Sequence, residues 1–321
     1  MNGISFRDIL NLFCCPPRPA QIVAKLAFLP PNPTYSIIQA ESNKCSIEFK
    51  PDACWQMGDT YKNKIEVFQK VTTKRSRIAC YYIPVENKNA YSVLFSHGNA
   101  VDLGLMAGFL QALSIRFDVN IFCYDYSGYG VSTGDPLECN IYADAEAAFE
   151  ELTERYKIPL SRIVLYGQSI GTAPTVHLAT KHKVAGVILH SPLMSGLRVV
   201  CPGTNRSFCF DPFTNIDKVA RIKSPTLIIH GTEDEIIDIN HGRQLHDRLN
   251  NPVEPAWIDG AGHNDIEMYT EYAERLKQFF EIDLPKFSME FSSDPQITPE
   301  AVTATTPVDK NSAKGDEILY S

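Results

Sequence analysis

The sequence predicts an α/β fold, a mostly parallel sheet with helices on both faces. Three observations predict it: short apolar strands alternate with amphipathic helices, a Gly-x-Ser-x-Gly turn joins one such strand to the next helix, and an acidic loop and a histidine loop follow later strands. In a sheet built this way ligands bind at the carboxyl ends of the strands, where the connecting loops gather.

The elements follow in chain order. Ile65 to Phe68 and Ile78 to Ile83 are β-rich runs separated by Thr72, Thr73, Lys74 and Arg75, and form an antiparallel hairpin. Tyr91 to Phe95 is a strand and Leu103 to Phe117 a helix. Val119 to Tyr124 is the next strand, and Ile141 to Tyr156 a helix capped by Asn140. Ile163 to Tyr166 is a buried strand and Thr172 to Thr180 the short helix behind it. Val184 to Leu189, Thr226 to Ile229 and Pro255 to Ile258 are further strands, and His241 to Leu249 and Ile266 to Phe280 the last helices.

Between Tyr166 and Thr172 lies Gly167-Gln168-Ser169-Ile170-Gly171, a sharp strand-to-helix elbow with Ser169 at its tip. The serine backbone is strained in such a turn, and a side chain at 167 or 171 would collide with the neighbouring strand or helix. The helix points its positive N-terminal end at the position of a developing oxyanion. The pentapeptide alone is weak evidence; its context gives it meaning.

A serine nucleophile needs a base, and the base an orienting acid, which in this architecture follow the serine as acid, then histidine. His230-Gly231-Thr232-Glu233-Asp234-Glu235 follows one strand and Gly260-Ala261-Gly262-His263-Asn264-Asp265 the next. Asp234 is assigned as the acid and His263 as the base, with Glu233, Glu235 and Asp238 close enough to compete for the acid's role. This is the α/β-hydrolase order. Of the other histidines, His190 and His230 end strands and satisfy local hydrogen bonds, His177 and His182 belong to the helix behind the elbow, and His241 and His246 do not share a helix face. His97, in Ser96-His97-Gly98-Asn99-Ala100, shapes a loop whose backbone N–H at Asn99 or Ala100, with that of Ile170, would hold an oxyanion. Asp125 to Ser132 is glycine-rich but lacks Gly-Lys-Ser/Thr, so it braces the site's rim instead of binding phosphate.

With 321 residues, 44% of them hydrophobic, the chain can bury a large core, and its net charge of −8 argues against nucleic acid as a partner. Nine scattered cysteines without CxxC spacing give no zinc site, and the chemistry requires no metal or cofactor. No apolar run is long enough to span a bilayer and no secretory signal is apparent, so the thiols are expected to be reduced, in a cytosolic setting.

Three segments stand apart. Residues 1–35 place Ile4, Phe6, Ile9, Leu10, Leu12 and Phe13 before Cys14-Cys15, after which Pro16, Pro17 and Pro19 stop any helix. They are either a terminus docked on the domain through its apolar cluster or an S-acylated membrane anchor in which Cys14 and Cys15 carry the chains. Acyl burial contributes roughly 0.8 kcal/mol per CH₂ and one chain holds only marginally, so a pair of cysteines is meaningful. Leu193 to Asn215, rich in Cys, Pro and Gly, is a candidate lid or a surface excursion without a role. The catalytic domain spans 60–284, and 285–321, rich in Ser, Thr, Pro and acidic residues, forms a disordered tail.

Five stretches together carry a resemblance: His97 to Gly104, Tyr124 to Gly130, Gly167 to Thr172, His230 to Glu235 and Gly260 to Asp265. With Phe13-Cys14-Cys15-Pro16-Pro17 and Ala24 to Pro31, they resemble the α/β-hydrolase domain-containing protein 17 family, from the first residue to about 284. That resemblance implies a serine hydrolase that removes palmitate from cysteines of membrane-associated proteins. It implies Ser169, Asp234 and His263 as its triad and Cys14 and Cys15 as its own acyl sites. It also implies a peripheral protein on the cytoplasmic face of the plasma membrane and endosomes. Family N-termini carry more cysteines, whereas Arg18 stands here, so anchoring would rest on fewer chains, and the acidic tail lies outside the resemblance. A monomer is expected. Two other readings compete: a carboxylesterase or lipase acting on a glycerolipid or small ester, and a catalytically silent hydrolase fold serving as an interaction module.

Overall fold

The computed structural model describes residues 27–39, 45–204 and 211–292. Cys14, Cys15 and the rest of the proposed anchoring segment up to residue 26, together with the tail beyond 292, lie outside the described residues.

A ten-stranded sheet is assembled in the order β1-β2-β3-β4-β6-β5-β7-β8-β9-β10. Strands β1 (Tyr35–Gln39), β2 (Cys45–Phe49), β3 (Glu66–Val71) and β4 (Arg77–Ile83) form an antiparallel wing, and β4 pairs antiparallel with β6 (Asn120–Tyr124). From β6 onward, β5 (Ser92–Ser96), β7 (Ile163–Gln168), β8 (Gly186–His190), β9 (Thr226–Gly231) and β10 (Ala256–Ile258) run parallel. The central strands are buried along their whole length because helices cover both faces, which is why they read as continuous apolar runs.

Side chains alternate between the faces with the strand period of two. Phe122 and Leu165 enter one core with α2 (Glu138–Glu150) and α3 (Thr172–Lys181), to which Ala145, Phe149 and Val176 contribute. Ile121, Phe95 and Tyr166 enter the other with α1 (Leu103–Phe117) and α6 (Thr270–Gln278), through Leu110, Leu113 and Leu276. The helices α4 (Gly196–Val200) and α5 (Asn240–His246) lie toward the carboxyl ends of the strands, and α7 (Leu284–Ser292) closes the described chain.

Four expectations shift. The sheet begins at Tyr35, well before residue 60, because Tyr35 is buried and its hydroxyl donates to Asp125 Oδ2 at 2.5 Å. Asn140 does not cap α2: the helix starts at Glu138, and the Asn140 amide donates to the Asp135 carbonyl at 2.9 Å. The predicted helix 266–280 is a 3-10 turn at Ile266–Met268, then α6, then a π-helical turn at Phe279–Asp283; extended backbone at Tyr269 breaks it. Helix α7 carries regular structure past residue 285, where a tail was expected.

Candidate active site

Ser169 stands at the end of β7 with φ 53°, in the left-handed region that a non-glycine residue enters only under strain. Its neighbours make room for it. A Cβ on Gly171 would lie 2.1 Å from the Ser96 carbonyl oxygen at the end of β5, and one on Gly167 would lie 2.4 Å from the Gly171 carbonyl oxygen. Side chains at these positions would therefore strike the neighbouring strand end and the start of the helix.

Parallel strands deliver their next loops to the same edge. The loop after β9 carries Asp234 and the loop after β10 carries His263; the structure brings both to Ser169. Ser169 Oγ is 3.0 Å from His263 Nε2, and His263 Nδ1 is 2.7 Å from Asp234 Oδ2. A carboxylate partner fixes the proton on Nδ1 and leaves Nε2 free to accept from the hydroxyl. Burial alone would raise the Asp234 carboxyl, but bonds from His230, His263 and the Ile237 N–H hold it well below the usual carboxylate range. It is thus an anion whenever the imidazole needs one. The competing acids are otherwise employed: Glu235 accepts the His263 backbone N–H at 3.2 Å, Asp238 accepts the Asn240 N–H at 2.8 Å, and Glu233 is exposed.

The oxyanion loop is held from below. His97 is fully buried, its Nδ1 donates to the Gly98 carbonyl at 2.8 Å, and its ring packs on Tyr126 at 4.1 Å between centroids. The Tyr126 hydroxyl donates to the His97 carbonyl at 2.6 Å and that of Tyr129 to Asn99 Oδ1 at 2.6 Å. The glycine-rich turn 125–132 therefore braces the rim as expected. Asn99 Oδ1 also accepts the Ala100 N–H at 3.0 Å. That bond engages Ala100, so Asn99 is the loop residue whose backbone N–H stands with that of Ile170 as a candidate oxyanion donor.

Beside Ser169 opens a cavity of about 790 Å³. Met106, Phe109, Leu193, Leu197 and Phe213 are among its walls, with Gln168, Asn264 and Glu267 as polar lining. The insertion 193–215 supplies α4 and Phe213 to that wall. Leu29, Val200 and Ile236 also line the cavity and are 58%, 72% and 53% exposed.

Sequence reasoning missed two contributors. Ala27 and Leu29 line the cavity, and Phe28 packs edge-on against Phe213 at 5.7 Å, while the Asn99 amide donates to the Ala27 carbonyl at 2.8 Å. The apolar triplet before Pro30-Pro31 was the available signal. Glu267, which accepts from Gln168 Nε2 at 2.8 Å, gave none, since its turn reads as the start of a helix.

A human protein, α/β-hydrolase domain-containing protein 17B, is 53% identical over 285 residues, covering 88% of this chain and 99% of the relative. The chain belongs to the α/β-hydrolase domain-containing protein 17 family. Its 17C member from Xenopus tropicalis is 50% identical over 301 residues, covering 89% and 97% of the two chains. Residues 87–206 match a family model described as serine aminopeptidase, S33. An esterase of Pyrococcus furiosus superposes with a TM-score of 0.58 at 16% identity, covering 71% of this chain and 94% of that one, which shows the shared fold. Family and fold make this member of the 17 family an α/β hydrolase.

Proposed function

We propose that the protein hydrolyses the thioester of S-palmitoylated cysteines on membrane-associated proteins. The observation that carries this reading is the Ser169–His263–Asp234 chain opening on a large cavity with apolar walls, as a long acyl chain requires. Ser169 Oγ attacks the thioester carbonyl carbon while His263 Nε2 takes its proton, and Asp234 stabilises the imidazolium. The oxyanion forms against the N–H groups of Ile170 and Asn99, donors that typically contribute about 3 to 4 kcal/mol each. The C–S bond then breaks, His263 returns the proton to the cysteine sulfur, and the acyl chain remains on Ser169. A water molecule deprotonated by His263 attacks this ester, freeing the fatty acid and the serine. No metal or cofactor enters the scheme.

Exposed Leu29, Val200 and Ile236 around the cavity suit an enzyme that draws its acyl chain from a membrane surface. Acyl chains on Cys14 and Cys15 would hold a monomeric enzyme to the cytoplasmic face of the plasma membrane and endosomes, where its lipidated substrates are concentrated.

The test is release of labelled palmitate from an S-palmitoylated protein by wild type and Ser169→Ala side by side. Release by wild type that vanishes in the variant is expected. Fluorophosphonate labelling of Ser169 without palmitate release would keep the hydrolase and move the substrate to glycerolipids or small esters. Folded protein that neither labels nor releases would be a silent module.

A further inference from the structure

The acid of the catalytic chain is met by a second imidazole. His230, the fifth residue of β9, is fully buried, and its Nε2 lies 2.7 Å from the Ile237 carbonyl oxygen and 3.2 Å from Asp234 Oδ2. A carbonyl oxygen only accepts, so Nε2 carries the hydrogen, which is shared between the carbonyl and the carboxylate. Asp234 Oδ1 accepts the backbone N–H groups of Ile236 and Ile237 at 2.9 and 2.7 Å. Oδ2 accepts His263 Nδ1 at 2.7 Å and the shared His230 hydrogen. Four donors thus surround the carboxylate, and His230 is the one that comes from the sheet and not from a loop.

From these contacts we infer that His230 is a positioning residue for catalysis, clamping the Asp234 carboxylate and the Ile237 carbonyl of the same loop so that Oδ2 stays aimed at His263. This rests on the reading of Ser169, His263 and Asp234 as the catalytic triad. Without His230, one carboxylate oxygen is held by the imidazole it must itself orient, and rotation of the carboxylate is opposed only at Oδ1. The other ring nitrogen, Nδ1, has no hydrogen-bond partner and faces Gly242 on α5, where an added Cβ would lie 2.6 Å from it. The glycine leaves the ring the space it occupies. His230 therefore ties the acid loop to strand β9 on one side and fits against α5 on the other.

The experiment compares steady-state hydrolysis of p-nitrophenyl octanoate by full-length wild type, His230→Met, His230→Gln, Gly242→Ala and Ser169→Ala. His230→Met keeps bulk and removes the donor, and kcat should fall roughly 10- to 100-fold while KM stays within about twofold, the loss expected for one hydrogen bond to a charged group. His230→Gln can place an amide N–H near the lost Nε2–H and should recover most of kcat. Gly242→Ala pushes the ring without touching the triad, and should lower kcat with KM unchanged; it serves where His230→Met does not fold. Wild-type kcat in His230→Met, or in Gly242→Ala where His230→Met does not fold, would overturn the positioning role. So would a loss that His230→Gln fails to restore and that tracks the melting temperature. Full activity in Ser169→Ala would instead overturn the triad itself, so the two failures are distinct.

Discussion

Asp144 shows how a single side chain outside the reacting atoms can set the behaviour of the site. It is fully buried on α2 and accepts from the Ser127 N–H at 2.7 Å and the Ser127 hydroxyl at 2.8 Å, fixing the turn whose tyrosines hold the oxyanion loop. Burial pushes its carboxyl up to about 7, against the lowering effect of the two Ser127 bonds. In the unfolded chain the same group titrates near 3.9, so between these values the folded state binds the proton more tightly. Its contribution is therefore fully present below about pH 4 and is lost as pH rises through about 7, by up to about 4 kcal/mol. Thermal melting at successive pH values from 5 to 8 should show that decline, and Asp144→Asn, whose amide offers Ser127 an acceptor and a donor as the protonated acid does, should flatten it. An undiminished slope in the variant would assign the pH dependence elsewhere. Asp234 has the opposite sign, because its depressed carboxyl stabilises the fold above the unfolded value and loses that effect only in strong acid.

Between strands and helices, the elbow is where local sequence and packing meet most tightly. Gly171 crosses the end of β5 so closely that an added Cβ would lie 2.1 Å from the Ser96 carbonyl oxygen and 2.7 Å from that of His97. Both atoms are backbone and neither can swing aside. Gly171→Ala should cost about 3 kcal/mol of unfolding free energy in a denaturant titration and should also disturb the oxyanion loop that follows Ser96. A variant that melts and turns over like wild type would mean that the elbow has more slack than this spacing allows. The strands of the parallel sheet were legible because burial on both sides makes them uniformly apolar runs of β-formers. Strands β1 and β2 were not, since an antiparallel wing exposed on one side mixes polar and apolar residues, as in Cys45–Phe49 with only Ile47 buried. Asn140 likewise looked like a cap because its type favours that position, yet the preceding turn claimed its side chain.

At the scale of the whole molecule, the exposed apolar side chains Leu29, Val200 and Ile236 stand where the cavity opens, and Ala27 and Leu29, a short way along the chain from Cys15, line the same cavity. About a dozen residues separate Cys15 from Ala27, a reach of at most about 40 Å when fully extended. If Cys14 and Cys15 carry the acyl anchor, replacing both by serine should move the protein from the membrane fraction to the supernatant. Hydrolysis of a soluble ester should continue, since neither residue belongs to the triad. Membrane retention of the double variant would refute the anchor.

The sequence by itself determined the class of fold, the elbow with Ser169 at its tip and the order in which Asp234 and His263 follow, because each depends on local chemistry: strand burial, glycine at a crossing, loops after strands. What only the tertiary structure decided were the pairings across the chain. Among Glu233, Asp234, Glu235 and Asp238, the choice fell to a 2.7 Å contact with a histidine 29 residues away. The same holds for Ala27 and Leu29 in the cavity wall, for the Phe28 contact with Phe213 and for the second imidazole on Asp234. Sequence spacing carries the period of a strand or helix, but not which loops lie together at one edge of a sheet; that is fixed by strand order.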